Sequence, residues 1–153
     1  MSKVCVIAGL TATGKSKAAI NLAKHWNAEI ISADSVAVYK HVDIGSAKVL
    51  QPQQEGITHH LIDICELDVL YNVAQFQKDA RNLIAEIHAR GKNVIVVGGT
   101  GLYIKALLYD YRFNEESFNR VERVEDTPLL YSELLIKDKE SALSIHPNNR
   151  KRI

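Results

Sequence analysis

Residues 3–26 read KVCVIAGLTATGKSKAAINLAKHW. A short apolar run, KVCVIA, leads into a glycine loop, and a pattern with helical spacing follows. The apolar positions after the loop are Ala18, Ala19, Leu22, Ala23 and Trp26, which share one helical face. The first run reads as a strand buried on both faces. The loop Gly9-Leu10-Thr11-Ala12-Thr13-Gly14-Lys15-Ser16 fits G-x-x-x-x-G-K-[ST] in its required setting, after a strand and before a helix. Glycines let backbone N–H groups wrap a phosphate closely, Lys15 adds a point charge, and the Ser16 hydroxyl can ligate Mg2+. The helix that begins there adds its positive end. A chain that opens this way is committed to an α/β fold that binds a polyphosphate.

The rest of the chain extends the same pattern. AEIIS (28–32) is a second apolar strand, and THHLIDI (58–64) reads as a third. In NVAQFQKDARNLIAEIHARGK, Asn72 stands as an N-cap with Gln75 in the capping-box position. Phe76, Ala80, Leu83, Ile84 and Ile87 form its apolar stripe, and Gly91 is its stop. NVIVV (93–97) is another strand, and GGTG opens a helix through LYIKALLY. Strands alternating with helices predict a P-loop NTPase-like parallel sheet flanked by helices. Ligands in such sheets bind beyond the carboxyl ends of the strands. Gly9–Ser16, Asp34 and Gly98–Thr100 all fall there.

From about Asp110 the chain becomes charged and poor in core residues. Thr127-Pro128 reads as a cap with proline in the first turn, opening the helix LLYSELLIK. Asp138 is placed to cap a further turn, ended by His146-Pro147. The expected organisation is a P-loop α/β core over 1–109. A helical insert segment and the truncated C-terminal part of the same fold follow over 110–153, giving a short helical C-terminal segment.

Composition sets limits. Of 153 residues, 46% are hydrophobic, enough for one compact core. The formal net charge is +1, so any basic binding surface is local. Cys5 and Cys65 form no CxxC pair, and Cys5 reads as a small core residue in a strand. No apolar stretch approaches the length of a membrane span. The N-terminus reads as a first strand rather than a signal peptide. The expected setting is the cytoplasm, with no membrane partner.

Asp34 lies just past the second strand. It reads either as a turn or N-cap aspartate or as a general base facing the phosphate crevice. The second reading suits two chemistries. One is a small-molecule or nucleoside kinase with ATP on the loop. The other is a transferase whose leaving group is diphosphate. The strand NVIVV ends in Gly98-Gly99-Thr100 instead of a Mg2+-binding aspartate, which does not fit a motor-type or switch-type NTPase.

The segments GLTATGKS, EIISADSVAVYKHVDIGSAK, THHLIDI, VVGGTGLYIKALL and LYSELLIKDKESALSIHPNNRKR resemble, in order and spacing, the tRNA dimethylallyltransferases (tRNA isopentenyltransferases). The match runs from residue 3 to the end of the chain. Adenylate isopentenyltransferases share the loop and the strand-end aspartate, but DIGSAK and GGTGLY look more like the tRNA-modifying branch. The resemblance implies transfer of a dimethylallyl group from dimethylallyl diphosphate to the exocyclic N6 amine of the adenosine 3′-adjacent to the anticodon in tRNA. It implies that the loop holds the diphosphate, with Lys15 neutralising the leaving group and Ser16 helping to place Mg2+. Asp34 would accept the amine proton. Asp34, Ser35, Val36 and Ala37 would border the flipped-out adenine, and Thr100 would hydrogen-bond near the reacting atoms. Leu10 stands where the family usually has proline. The segment between Tyr109 and Leu130 is shorter than usual. The family continues past HPNNRKRI, so an N-terminal fragment is expected, one that keeps diphosphate binding and lacks transfer to tRNA.

Other residues carry weaker signals. Arg120 and Arg123 fit a tRNA phosphate contact, a lid over a phosphate, or a solvated charged face alternating with Glu122 and Glu125. Arg123 is counted among the tRNA-binding candidates. The NNRKR end is a candidate phosphate contact or a frayed terminus. Adjacent His59 and His60 point to opposite faces of a strand, which argues against a shared metal. Lys40 and Lys48 lie near the crevice without an assigned role, and Tyr39 either stacks on a base or packs.

Overall fold

β2 (Ala28–Ser32) and β4 (Asn93–Gly98) are the central strands of a four-stranded parallel sheet, in a computed structural model that describes residues 2–109, 111–113, 126–150, 152 and 153. Their continuous apolar runs fit strands covered on both faces. All five residues of β2 are buried, as are Val94 to Gly98 of β4. The two pair from Ala28↔Asn93 to Ser32↔Val97. The strand order is β1-β4-β2-β3, with β1 at Val4–Ala8 and β3 at His59–His60.

The flanking helices are α1 (Lys15–Trp26), α2 (Val73–Ala89) and α3 (Gly101–Leu108). On one face, Ile31, Val94 and Val96 pack with Phe76, Ala80, Ile87, Tyr103 and Ile104. The Phe76 and Tyr103 rings stack there with centroids 4.3 Å apart. On the other face, Ile30, Ile95 and Val97 pack with Ala19, Ile20 and Ala23 of α1. The α/β class and parallel sheet expected from the alternating pattern are thus observed.

Four local expectations are corrected. β1 is not buried on both faces. It pairs with β4 alone, so one edge is open, Val4 is 42% exposed and Cys5 is only partly buried. The third strand shrinks to His59–His60, because Leu61 and Asp63 adopt positive φ of 59° and 55° and end the extended run. The buried face of α1 is Ala19, Ile20 and Ala23, while Ala18 and Leu22 are exposed. Burying the large Ile20 side chain outweighs burying Ala18. At α2, Asn72 Oδ1 accepts from the Gln75 backbone N–H at 3.0 Å, but the Gln75 side chain turns to Asp79 Oδ1 at 2.8 Å. The cap is therefore one-sided. Gly91, with φ 73°, follows the helix end as expected.

The chain divides into two compact units, Met1–Phe113 and Asn114–Ile153. In the second, α4 (Thr127–Lys137) and α5 (Lys139–Ser144) form a helical pair. Asp126, not Thr127, is the N-cap of α4, because the helix starts one residue earlier with Thr127 already inside it. Asp138 Oδ1 caps α5 by accepting from Ser141 N–H at 3.0 Å, and Tyr131 donates its hydroxyl to Ala142 O at 3.0 Å. Among the described residues no helix is long and apolar enough to cross a membrane.

One charged group is sunk at the opposite end of the sheet from the phosphate loop. Glu29 is buried near the start of β2. Its Oε2 takes bonds from His60 Nε2 and Arg90 Nη2, both 2.7 Å, and its Oε1 from Lys92 Nζ at 2.9 Å. Burial alone pushes this carboxyl's pKa up, but the bonds from His60, Lys92 and Arg90 outweigh burial and hold it down to about 2. A depressed pKa stabilises the fold fully above the usual value of 4.5, and that contribution fades as pH falls toward 2. Glu29→Gln is expected to destabilise the chain at pH 7 by about 1–3 kcal/mol, with the difference from wild type shrinking below pH 4.5. Urea unfolding midpoints across pH 2.5–7 check this. A difference that stays constant with pH would contradict it.

Candidate active site

β1, β2 and β4 run parallel, so their carboxyl ends emerge at one edge of the sheet. The segments that follow them, residues 9–16, 33–37 and 98–100, gather around a cavity of about 380 Å³. Its α1 side is lined by Thr11, Ala12, Gly14, Lys15, Ser16 and Lys17. Gly14 is the N-cap of α1 in a left-handed conformation, φ 84°, which glycine adopts without strain. The first turn of α1 holds no acidic residue, so the helix's positive end faces the cavity uncompensated. The Leu10 carbonyl accepts from Thr13 Oγ1 at 2.8 Å and from Lys15 Nζ. The Lys15 ammonium is thus folded onto its own loop. An incoming phosphate oxygen would replace that neutral acceptor with a charged one, the stronger partner.

Asp34 stands on the other wall. Its Oδ1 accepts from Val36 N–H at 2.8 Å and from Ala37 N–H at 3.3 Å. These bonds hold the turn over residues 34–37, and the second carboxylate oxygen takes no part in them. The two readings of Asp34 left open by the sequence are therefore compatible: one oxygen shapes the loop, the other is available to a ligand.

Loop 33–37 is stitched to the end of β4. The Thr100 backbone N–H donates to Ala33 O at 3.2 Å. Thr100 Oγ1 accepts from Ser35 N–H at 3.0 Å and donates to Ser35 Oγ at 3.3 Å. Gly98 makes the crossing possible, because a Cβ there would lie 2.8 Å from Ala33 Cα and closer still to its carbonyl.

Of the residues singled out in the sequence, Thr11, Ala12, Gly14, Lys15, Ser16, Asp34 and Ala37 line the cavity. Gly9, Leu10 and Thr13 form the loop behind the lining. Ser35 and Thr100 brace it through the bonds above, and Val36 is 43% exposed. Arg120 and Arg123 lie outside the described residues. Among the described residues no cluster of three His, Cys, Asp or Glu side chains could hold a metal.

Sequence reasoning gave no role to part of the wall: Lys48, which it placed near the crevice, and Ser32, Ala47, Val49, His59 and Ile62. Lys48 is fully buried, with Nζ donating to Tyr39 O at 2.8 Å, Asp43 Oδ1 at 2.9 Å and Asp63 Oδ1 at 2.6 Å. Burial pulls its pKa down, but the bonds to Asp43 and Asp63 prevail and the net shift is upward. It ties residues 39–48 to the chain after β3. Tyr39 packs into this tie, its hydroxyl accepting from Tyr71 N–H at 3.2 Å, while Lys40 pairs with Glu66 at the surface. Lys48 lies in a loop without periodicity, so its place near the crevice was legible but its ion pairs were not. His59 left a signal: the alternation that separates it from His60 also turns it toward α1.

A parallel sheet flanked by helices, with a glycine-lysine loop at a helix start and a carboxylate across the crevice, places the chain among α/β proteins of P-loop-like fold. The comparisons with known proteins narrow this. The family described as IPP transferase matches residues 37–153. A tRNA dimethylallyltransferase of an Exiguobacterium species is 51% identical over 98% of this chain and 51% of its own length. That of Bacillus subtilis is 46% identical over 98% of this chain and 50% of its own. The solved tRNA isopentenylpyrophosphate transferase of Staphylococcus epidermidis aligns with a TM-score of 0.70 at 44% identity, covering 99% of this chain and 52% of that one. A eukaryotic dimethylallyltransferase solved acting on tRNA aligns at 0.76 and 36% identity, covering 99% and 40%. The chain belongs to the IPP transferase family. It spans about half the length of the curated relatives it matches.

The Gly98–Ala33 approach is the tightest in the site. Gly98→Ala is expected to destabilise the chain by about 1–3 kcal/mol, since backbone must shift. It is also expected to weaken binding of inorganic diphosphate, because Asp34 and Thr100 sit on the segments it pushes apart. Urea unfolding and calorimetric titration measure both. Wild-type stability and affinity in the variant would refute the argument.

Proposed function

We propose that this chain carries the donor-binding site of a tRNA dimethylallyltransferase. The whole enzyme would transfer a dimethylallyl group from dimethylallyl diphosphate to the exocyclic N6 amine of the adenosine 3′-adjacent to the anticodon. What carries the reading is one juxtaposition: the Lys15–Ser16 phosphate loop and the Asp34 carboxylate face each other across a single cavity. In the transfer, the amine nitrogen bonds to the allylic carbon, the C–O bond breaks, and its electron pair leaves with the diphosphate. Lys15 and the start of α1 stabilise that departing charge. The second oxygen of Asp34 takes the amine proton, and Thr100 holds Ser35 at the cavity's edge. The target adenine must leave its stack to reach the site.

Mg2+ fits the donor set as a companion of the diphosphate. The Ser16 hydroxyl would supply one ligand, with diphosphate oxygens and water completing the shell, and the ion would offset charge on the leaving group. Residues 1–109 would form the donor-binding core. Residues 110–153, including Arg123 and the NNRKR end, would form a helical insert segment and the beginning of a tRNA-facing part. A tRNA substrate implies a cytoplasmic setting.

Calorimetry with dimethylallyl diphosphate and with ATP, each with Mg2+, tests the reading. The allylic diphosphate is expected to bind more tightly, and Lys15→Ala to weaken it by about tenfold to a hundredfold. Asp34→Asn, whose amide oxygen can still accept from Val36 and Ala37, is expected to bind it within about twofold of wild type. A clear preference for ATP would instead indicate a kinase.

A further inference from the structure

We propose that His59 is a proton-coupled anion-binding group of the cavity: when a diphosphate enters, His59 takes a proton from solvent and donates a hydrogen bond to that diphosphate through Nε2. The proposal rests on the donor-site reading above and adds a residue and a pH dependence to it.

Register places the ring. His59 pairs with Ile30 across the β2–β3 ladder, and Ile30 faces α1. Side chains on paired residues share a face, so His59 stands on the α1 side and His60 on the other, where it meets Glu29. Ser32 is one two-residue step further along the same face, about 7 Å, and both residues line the cavity with Lys15 and Ser16. The His59 Nδ1 lies 2.8 Å from the Ile57 carbonyl, which can only accept. Nδ1 therefore carries hydrogen, and in the neutral ring Nε2 is a bare acceptor. No buried side-chain nitrogen among the described residues lacks a partner, and no bond joins Nε2 to another described residue. Nε2 thus meets solvent, on a residue that lines the cavity.

A bare acceptor is the wrong partner for a phosphate oxygen, which also only accepts. Protonation turns it into a donor. Burial holds the ring's pKa below its ordinary value, and the neighbouring His60 adds to this against the Ile57 bond. The charges around the cavity are Lys15 and Lys17 of α1, the latter paired with Glu55 at 3.4 Å, Asp34 of the loop after β2, and Lys48 with its partners Asp43 and Asp63. Without ligand, burial and His60 favour the neutral ring. A multiply charged diphosphate reverses that balance. When the C–O bond of an allylic diphosphate breaks, its electron pair stays on the diphosphate, and the shared His59 proton lowers the charge collecting there.

The test uses inorganic diphosphate with Mg2+ on the whole chain. Calorimetry at pH 6–8, in buffers of differing ionisation enthalpy, compares wild type with His59→Asn, whose amide can still donate to the Ile57 carbonyl. Diphosphate titrates in this range itself, so the difference between the two proteins is the readout. Wild-type affinity is expected to rise about tenfold more than that of His59→Asn as pH falls from 8 to 6, with extra proton uptake. Independently, NMR of the wild-type imidazole is expected to show the His59 titration moving upward when diphosphate binds. Parallel pH profiles, or an imidazole titration unmoved by bound diphosphate, overturn the proposal while Lys15-dependent binding leaves the donor site standing. A wild-type chain that binds no diphosphate overturns both.

Discussion

The pairing of β2 with β4 is the contact on which the site depends. Their register, Ser32 beside Val97, ends both strands at one level and sends residues 33–37 and 98–100 into the same space. The chains then approach until Gly98 has no room for a side chain, and the Thr100 N–H closes onto Ala33 O. Each backbone polar group freed at a strand end must find a partner, and here the partners belong to the other strand's exit loop. The phosphate loop arrives separately, on β1, through the β1–β4 ladder. Two ladders thus deliver three loops, and moving either would separate the cation from the carboxylate.

Asp34 shows how a carboxylate just past a buried strand can shape the loop that follows and keep one oxygen out of that task. An aspartate two residues past a strand favours a turn, because its short side chain reaches the next backbone N–H groups. Val36 and Ala37 donate to one oxygen. That removes rotational freedom from the side chain and aims the other oxygen. In the proposed transfer, positioning of this kind would contribute through geometry, with the entropy of orienting Asp34 met on folding.

Much of this was legible in the sequence because its signals were local. The phosphate loop, the two continuous apolar strands and the stripe of α2 each declare themselves within a dozen residues. Errors arose where tertiary neighbours decide. The apolar composition of β1 resembles that of β4, but only the strand order makes β1 an edge. The α1 stripe could be drawn through Leu22 or through Ile20, and contact with Ile30 and Ile95 selects Ile20. Asp34 was visible as a candidate, but its double role required the Val36 and Ala37 bonds. Lys48 was visible near the crevice, but its role was hidden. Its partners Tyr39, Asp43 and Asp63 are scattered through segments with no period, and Asp63 is held in a positive-φ conformation that the sequence does not announce.

The wall opposite the phosphate loop follows from electrostatics as much as from packing. A lysine ammonium without water must be matched by anions, and Lys48 is matched by two half-exposed carboxylates. Those two carboxylates more than offset its charge, and Lys17 is paired with Glu55, so Lys15 and the end of α1 dominate the potential there. His59, held by the Ile57 carbonyl, lies within reach of that potential but on a different strand. The cavity therefore combines one permanent cation that a phosphate can claim, Lys15, with a ring whose charge depends on whether the phosphate is present. Fixed cations already favour the departing diphosphate, because negative charge grows on it as the carbon–oxygen bond breaks. A titrating group would add to that preference, since the same growth of charge raises its own proton affinity.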